Sequence, residues 1–299
     1  MFRYFIFIFS FILLGFAQPQ EIAMTCTDDW GFFGHKKLNE LAVFTLPAPL
    51  FSFYKDNLSY LIEHSVDPDK RRYSVKGEAE CHYIDLDHYY PNAHQRRPMP
   101  TTWGNAICQF EIDSLHAHGI VPWQVQKKLF QLTEAFVSKD KKKILQISAE
   151  LGHYIGDAHV PLHTTSNYNG QLTNQKGLHG FWESRLPELY YEQFKIPFHH
   201  AQLIERPDLF IWDRIWESHL ALDSVFQFET QAKSTMNDQY WYDYQLRGED
   251  AAYQYSQALS HTYHSILNGQ VERRMKSAIA SIGDFWYTAW INAGQPALP

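Results

Sequence analysis

The 299-residue chain has little cysteine, no net positive charge and no long apolar run beyond its first residues. Its three cysteines, Cys26, Cys81 and Cys108, contain no Cys-x-x-Cys pair, which excludes the thiolate zinc and redox motifs built on that spacing. In an oxidising compartment they allow one disulfide with one thiol left over, and at least one of them reads as a buried small hydrophobe. The net charge of -7 excludes a basic nucleic-acid face from the bulk balance and leaves room only for a local patch. No alternating stretch of convincing strand length, no repeat of solenoid period and no low-complexity linker divides the chain. With 45% hydrophobic residues, the length suffices for one large core or two modest ones.

What is present begins with an export signal. Arg3 precedes an apolar run over residues 4–16 that is broken only by Ser10 and Gly15, and Gly15-Phe16-Ala17 places small residues for cleavage after Ala17. The run is short for a transmembrane span; an uncleaved anchor is the alternative. The expected organisation is a signal peptide over 1–17, an N-terminal loop over 18–29 and one domain over 30–299, in a secreted or periplasmic protein with no transmembrane segment in the mature chain. Helical periodicity predicts helices over 35–44, 50–64, 103–118, 122–138, 141–159, 179–191, 208–228, 249–268 and 270–293. Segments 65–101 and 160–178 read as loops. The fold class is all-α, a single-domain multi-helix bundle with a metal-lined cleft.

Sixteen histidines are many for this length. The stretch from His153 to His163 is the most informative. His153 and Asp157 are four apart and share one helical face; His179 and Glu183 repeat that spacing. Pro161 ends or kinks the first helix, so His163 turns to a different point. Neutral imidazole and carboxylate suit zinc. Three further segments are rich in ligating side chains: Trp30 to His35, His64 to Arg72, and Cys81 to His88. His159, His88, His94, His116 and His118 lie near these motifs without matching a ligand position.

Together, Trp-Gly-x-x-Gly-His, His-Tyr-Ile-Asp and His-x-Ile-Gly-Asp-x-x-x-Pro-Leu-His resemble the superfamily that joins zinc-dependent phospholipases C to single-strand-specific zinc nucleases. The likeness runs from Trp30 to about Glu183 and is weaker beyond. It implies an all-helical zinc-dependent phosphoric ester hydrolase holding up to three zinc ions. Carried over by residue, Asp67, His82, His153 and Asp157 hold one zinc, with Asp69 able to serve in place of Asp67. His163, His179 and Glu183 hold a second; His35, Trp30 and the shared Asp157 hold a third. Asp67 and Asp85 are the candidates to orient the water, and Arg71 is the candidate to face a substrate phosphate. In the family, Trp is the first residue of the mature protein. Here twelve residues would remain ahead of Trp30, so a second cleavage or a substitute ligand such as Asp28 or Asp29 is required.

The implied chemistry is attack by zinc-bound hydroxide on a phosphate ester. Glu183 resembles the phospholipase branch and Val160 departs from the Gln common in the nucleases, whereas Trp182 resembles the nucleases. The expectation is therefore a phospholipase-C-like phosphodiesterase acting on phospholipid. A nuclease or 3′-nucleotidase acting on single-stranded nucleic acid is the alternative, and a non-catalytic zinc-binding protein is the alternative of another class. No protein partner is implied. A ferritin-like di-iron bundle needs two Glu-x-x-His motifs, and only Glu150-Leu151-Gly152-His153 is clear.

Overall fold

A computed structural model describes residues 31–90, 98–196, 199–247 and 250–298. The expected signal peptide over 1–17, the expected 18–29 loop, Cys26 and Trp30 lie outside the described residues. The helices are Lys36–Ala42 (α1), Ala48–Lys55 (α2), Leu58–His64 (α3), Asp67–Arg71 (α4), Leu86–Tyr89 (α5), Trp103–Gln109 (α6) and Ile112–Ala117 (α7). They continue with Val121–Val137 (α8), Lys141–Ala158 (α9), Leu178–Gly180 (α10), Leu186–Tyr190 (α11), Pro207–His219 (α12), Leu222–Ser234 (α13), Gln257–Leu267 (α14) and Gln270–Asn292 (α15). The architecture is all-α, as the periodicity predicts.

Helix α9 is the axis. Asp140 caps it by accepting a hydrogen bond from the Lys143 backbone N at 3.1 Å. From Ser148 to Ala158 every residue is buried, so this helix is enclosed on all sides rather than amphipathic. Helices α1, α3, α8, α12 and α15 pack around it. The rings of Tyr54 and Trp286 stack at 4.9 Å, and both side chains bond Ser148: Tyr54 to its hydroxyl at 2.7 Å, Trp286 Nε1 to its carbonyl at 3.1 Å.

Three predicted long helices are each divided. The 50–64 stretch breaks between α2 and α3 at Asp56-Asn57. The 103–118 stretch breaks where Phe110 turns extended, and 208–228 breaks between α12 and α13. Local periodicity cannot see a one- or two-residue break that keeps the apolar face in phase. A larger difference is a hairpin, Tyr242–Arg247 (β1) against Asp250–Tyr255 (β2), antiparallel with Tyr242 opposite Tyr255 and Tyr244 opposite Tyr253. Its first strand lies in a stretch to which the periodicity assigns no element, and its second takes up the start of the predicted 249–268 helix. The alternating tyrosines were the available signal, since aromatic cross-strand pairs favour this pairing. The true helix begins after Ser256, whose hydroxyl accepts from the Leu259 N at 3.1 Å.

Two glycines on α9 let α1 approach closely. A Cβ at Gly152 would lie 1.8 Å from Asn39 Oδ1, and one at Gly156 would lie 2.9 Å from His35 Nδ1. Asn39 cannot easily yield, because its Nδ2 donates to the Ala149 carbonyl at 3.1 Å. Gly152→Ala should therefore destabilise the protein by about 1–3 kcal/mol. Gly104→Ala, where nothing stands within 4 Å, should be neutral or gain up to about 1 kcal/mol. Urea unfolding of the two variants side by side checks this; equal stabilities would refute the close-approach argument.

Candidate metal centre

Helix α9 presents His153 and Asp157 from its last turns, both buried. The chain then leaves the helix at Val160, which is extended, and Pro161–Thr164 forms a single 3-10 turn that carries His163 back over the same point. His35 arrives at the end of a π-helical turn, Gly31–His35, that runs into α1. His179 sits on α10 and Glu183 on the π-helical turn Phe181–Arg185 that follows it. Two short loop-borne pieces complete the set: Asp69 on α4 and His82 just after a 3-10 turn at Ala79–Cys81.

These side chains converge. Asp157 divides its two oxygens: Oδ1 lies 3.3 Å from His35 Nε2 and 4.0 Å from His163 Nδ1, and Oδ2 lies 3.0 Å from His82 Nδ1 and 3.3 Å from His153 Nε2. Asp69 Oδ1 stands 3.5 Å from both His82 Nδ1 and His153 Nε2. Glu183 likewise divides itself between His163 Nε2 at 3.2 Å and His179 Nε2 at 3.1 Å. Three groups of ligand atoms, each within 4.8 Å of one another, result: His35, His153 and Asp157; Asp69, His82 and His153; His163, His179 and Glu183.

The electrostatics show how unusual this concentration is. Burial alone would raise the Asp157 and Glu183 carboxyls, but the neighbouring imidazoles overcome it. His153 and His163 hold Asp157 well below the carboxylate range, and His179 and His163 hold Glu183 at about 2. Conversely, burial would lower His153 and His163, yet Asp157 and Asp69 raise His153 to about 10, while Glu183 and Asp157 raise His163 to about 9. His35 goes the other way, lowered by burial and by the charge of His153.

Two predicted residues stand elsewhere. Asp67 faces outward, with His64 Nδ1 at 2.5 Å and Lys70 Nζ at 3.1 Å. Residues two apart on a helix point about 200° apart, so when α4 turns one aspartate toward His82 and His153 it turns the other away; Asp69 is the one brought in. Arg71 does not face a cleft. Its Nε reaches Glu78 at 2.7 Å, Nη1 reaches Glu150 at 2.9 Å and Nη2 donates to Tyr154 Oη at 3.1 Å. Lys128 pairs with the other oxygen of Glu150. Arg72, its neighbour, lines the cleft and makes no ion pair among the described residues.

That cleft has a volume of about 310 Å³ and is lined by Arg72, Tyr83, Asp85, His163, Tyr168 and His179 among others. Asp85 is in its wall, 3.3 Å from His118 Nδ1. Burial raises the Asp85 carboxyl to about 6 against the pull of His118, with Asp87 adding to the rise. His159 is outside the cluster. Its Nδ1 donates to the Ile155 carbonyl at 2.7 Å and its Nε2 meets Ser281 Oγ at 3.2 Å, and burial keeps it neutral. Trp182 is fully buried between its flanking site residues, donating to Gln270 Oε1 at 3.0 Å.

Sequence reasoning missed the groups that back the imidazoles. His153 Nδ1 donates to the Ser65 carbonyl at 2.9 Å, His163 Nδ1 to the His82 carbonyl at 2.6 Å and His179 Nδ1 to the Tyr168 carbonyl at 3.3 Å. Each bond leaves Nε2 facing the site. His82 is reversed: Nδ1 faces the site and Nε2 faces Glu78 Oε1 at 3.6 Å, an ion-pair distance rather than a hydrogen bond. Glu78 is held in turn by Arg71 and Tyr154. No spacing rule marks Glu78; the only hint is its place four residues before His82.

Zinc fits this donor set. Among the described residues the buried His82 Nε2 has no hydrogen-bond partner, and His163 Nε2 and Glu183 Oε2, though 3.2 Å apart, do not meet in hydrogen-bond geometry; the clusters are imidazole and carboxylate alone, the ligand types of this ion. Fold and site together define an all-α protein with three neighbouring imidazole–carboxylate groups. The family model for zinc dependent phospholipase C matches residues 34–246, and the chain belongs to that family. A solved structure, that of the alpha-toxin of Clostridium perfringens from avian strain SWCP, is similar with 14% identity and a TM-score of 0.49, covering 86% of this chain and 63% of that one. The chain thus spans less than two thirds of that protein's length. No curated protein matches.

Two outcomes follow for the metal-free and zinc-loaded protein. His153 and His163 have raised pKa values, so what they add to stability is complete below about 6.5 and is lost as pH rises toward 9 to 10. Asp157 and Glu183 have lowered values, so their contribution is lost as pH falls below about 4.5 toward 2, and neutral His35 and His159 also disfavour acid below about 6.5. Metal-free protein should therefore be most stable near pH 6.5 and weaken from 6.5 to 9. Zinc, whose ligands must shed protons, should stabilise more strongly over that same rise. Thermal melts across pH with chelator or zinc check both; a metal-free Tm that climbs from 6.5 to 9 would be the contrary result. Second, Glu78→Gln should weaken zinc by about 10- to 100-fold at the position served by His82, leaving the His163, His179 and Glu183 position unchanged. Competition with a chromophoric chelator distinguishes these, and unchanged affinity for every zinc equivalent would remove Glu78 from this role.

Proposed function

We propose that the protein is an exported zinc-dependent phospholipase C that cleaves the phosphodiester between diacylglycerol and a phosphorylated headgroup. The observation that carries this reading is that His163 and His179, from one of the three imidazole–carboxylate groups, line a cleft whose wall also holds Arg72, while Asp157, 4.0 Å from His163, belongs to another of the groups. Membership of the family supplies the substrate class; the apolar run over residues 4–16 supplies the export expectation.

Asp69, His82, His153 and Asp157 would hold one zinc, His163, His179 and Glu183 a second, and His35 with Asp157 would contribute to a third. Bound zinc would lower the pKa of a water to near neutral and offset charge on the phosphoryl oxygens. The remaining work falls to the chain. Arg72 supplies a planar guanidinium to a phosphate oxygen, the role that the committed fork of Arg71 cannot fill. Asp85, with its carboxyl raised to about 6 and His118 Nδ1 3.3 Å away, can hold a proton near the departing oxygen at close to neutral pH. As the water oxygen bonds to phosphorus, the bond to the diacylglycerol oxygen breaks and that oxygen takes a proton. Tyr83 and Tyr168 narrow the cleft around the headgroup.

The test compares zinc-loaded protein on phosphatidylcholine, single-stranded DNA, RNA and 3′-nucleotides, each with and without chelator. Chelator-sensitive release of phosphocholine, with little action on nucleic acid, is expected. Cleavage of single strands but not lipid would move the protein to the nuclease reading, and inactivity on all four would leave a zinc-binding protein. In the same assay Asp157→Asn should lose more than one zinc equivalent and at least a hundredfold in rate, because one carboxylate faces several imidazoles; full zinc content in that variant would count against a shared ligand.

A further inference from the structure

Two loops frame the mouth of the cleft, residues 72–77 and 166–177. Tyr73 and Arg72 line it from one, Ser166 and Tyr168 from the other. Among the described residues, the two most exposed large apolar side chains of the protein are in these loops, Tyr73 at 79% and Leu172 at 72%, and Val75 and Tyr168 are exposed beside them. Their outward placement is fixed by the backbone. Ser74 N and Val75 N both donate to the Arg71 carbonyl at 2.9 Å. Leu172 N donates to Asn167 Oδ1 at 2.7 Å, Gln175 N to the Gly170 carbonyl at 2.8 Å, and Asp87 receives the Ser166 N and the Thr165 and Ser166 hydroxyls. The loops are thus closed turns that hold apolar groups in water, at a cost that something must offset.

Charge identifies the occupant. The chain carries 33 acidic residues and a net charge of -7, yet neither loop contains an aspartate or glutamate. They contain Arg72, Lys76 and Lys176, and the two lysines are exposed with no ion pair among the described residues. Apolar and tyrosyl groups among cations, around the opening of a site, match the interface of a phospholipid bilayer. There tyrosine rings sit at headgroup depth and each lysine near an anionic surface adds attraction. Among the described residues no helix is long and apolar enough to cross a membrane.

We propose that the 72–77 and 166–177 loops form a lipid-docking rim, with Val75 and Leu172 entering the bilayer interface and Lys76 and Lys176 pairing with lipid phosphates. This rests on the phospholipase reading for its choice of surface, but it is tested separately. Full-length zinc-loaded protein is sedimented in the cold with vesicles of phosphatidylcholine, with and without phosphatidylserine, and is assayed on a short-chain phosphatidylcholine below its micelle concentration. Val75→Ser combined with Leu172→Ser should bind both kinds of vesicle roughly tenfold or more weakly, with hydrolysis of the monomeric lipid unchanged. Lys76→Gln combined with Lys176→Gln should lose only the added affinity given by phosphatidylserine. Vesicle binding equal to wild type in both variants overturns the proposal. Loss of monomer hydrolysis in the serine variant overturns it equally, because the loops would then belong to the site itself. If wild type binds vesicles but hydrolyses no monomeric lipid, the rim stands and the proposed function falls.

Discussion

One buried carboxylate organises this molecule. Asp157 is almost fully enclosed, and four imidazoles, from His35, His82, His153 and His163, stand within 4.0 Å of its two oxygens. An isolated carboxylate would not remain ionised in such a place. Here the histidines keep it charged, and it keeps two of them charged when no metal is present. The surrounding fold can be read as the means of bringing these groups to one point. Gly152 and Gly156 admit α1 and thus His35, complete enclosure of α9 holds His153 and Asp157 rigid, and the Pro161 turn folds His163 back over them.

Concentrating charge in a core requires a second layer that fixes each ring. Backbone carbonyls of Ser65, His82 and Tyr168 perform this for three imidazoles. His82 is backed by a side-chain carboxylate, and that carboxylate is the entry to a network of Glu78, Arg71, Tyr154, Glu150 and Lys128. A cation facing a substrate phosphate must be free to meet it. The Arg71 fork is occupied three times over, so its contribution is to rigidity, whereas Arg72 one position along is turned to the cleft. A hundred degrees of helical rotation separates a guanidinium committed to ion pairs from one that lines the cleft.

The same rotation marks the boundary of what the sequence could disclose. The His153/Asp157 and His179/Glu183 pairs were legible because a four-residue spacing fixes relative direction whatever the helix packs against. Pro161 was legible as a change of direction. Asp67 against Asp69 and Arg71 against Arg72 were not, because absolute orientation on a one-turn helix depends on how α4 docks, which is a tertiary matter. Glu78 and Glu150 were invisible for a related reason: a backing carboxylate needs proximity only in space, and Glu150 even sat in a Glu-x-x-His motif whose glutamate points to Lys128 and Arg71 rather than to a metal group. The all-α class was legible from periodicity, while the hairpin at Tyr242–Tyr255 was lost because short tyrosine alternation beside a helix start offers too few periods to decide.

The family likeness ends at residue 246, but the site does not end there in physical terms. The turn that aims His163 is clamped from behind by α12 and α15. Ser218 Oγ donates to the Ala158 carbonyl at 2.8 Å, Arg274 Nε donates to the His159 carbonyl at 2.9 Å, and Thr164 Oγ1 meets His219 Nδ1 at 3.1 Å. Arg274 is itself buried, its fork shared among Glu217, the Arg214 carbonyl and Ser218. Burial lowers its pKa to about 10 despite Glu217, and it remains charged near neutral pH. A buried charge of that kind ties α15 to α12 and to the end of α9, because those two supply the oxygens that it cannot forgo. The C-terminal helices are therefore part of the scaffold that sets the geometry of the His163, His179 and Glu183 group, although they contribute no residue to it. Their aromatic residues close the core around α9, and their single buried guanidinium holds the one irregular turn on which His163 depends.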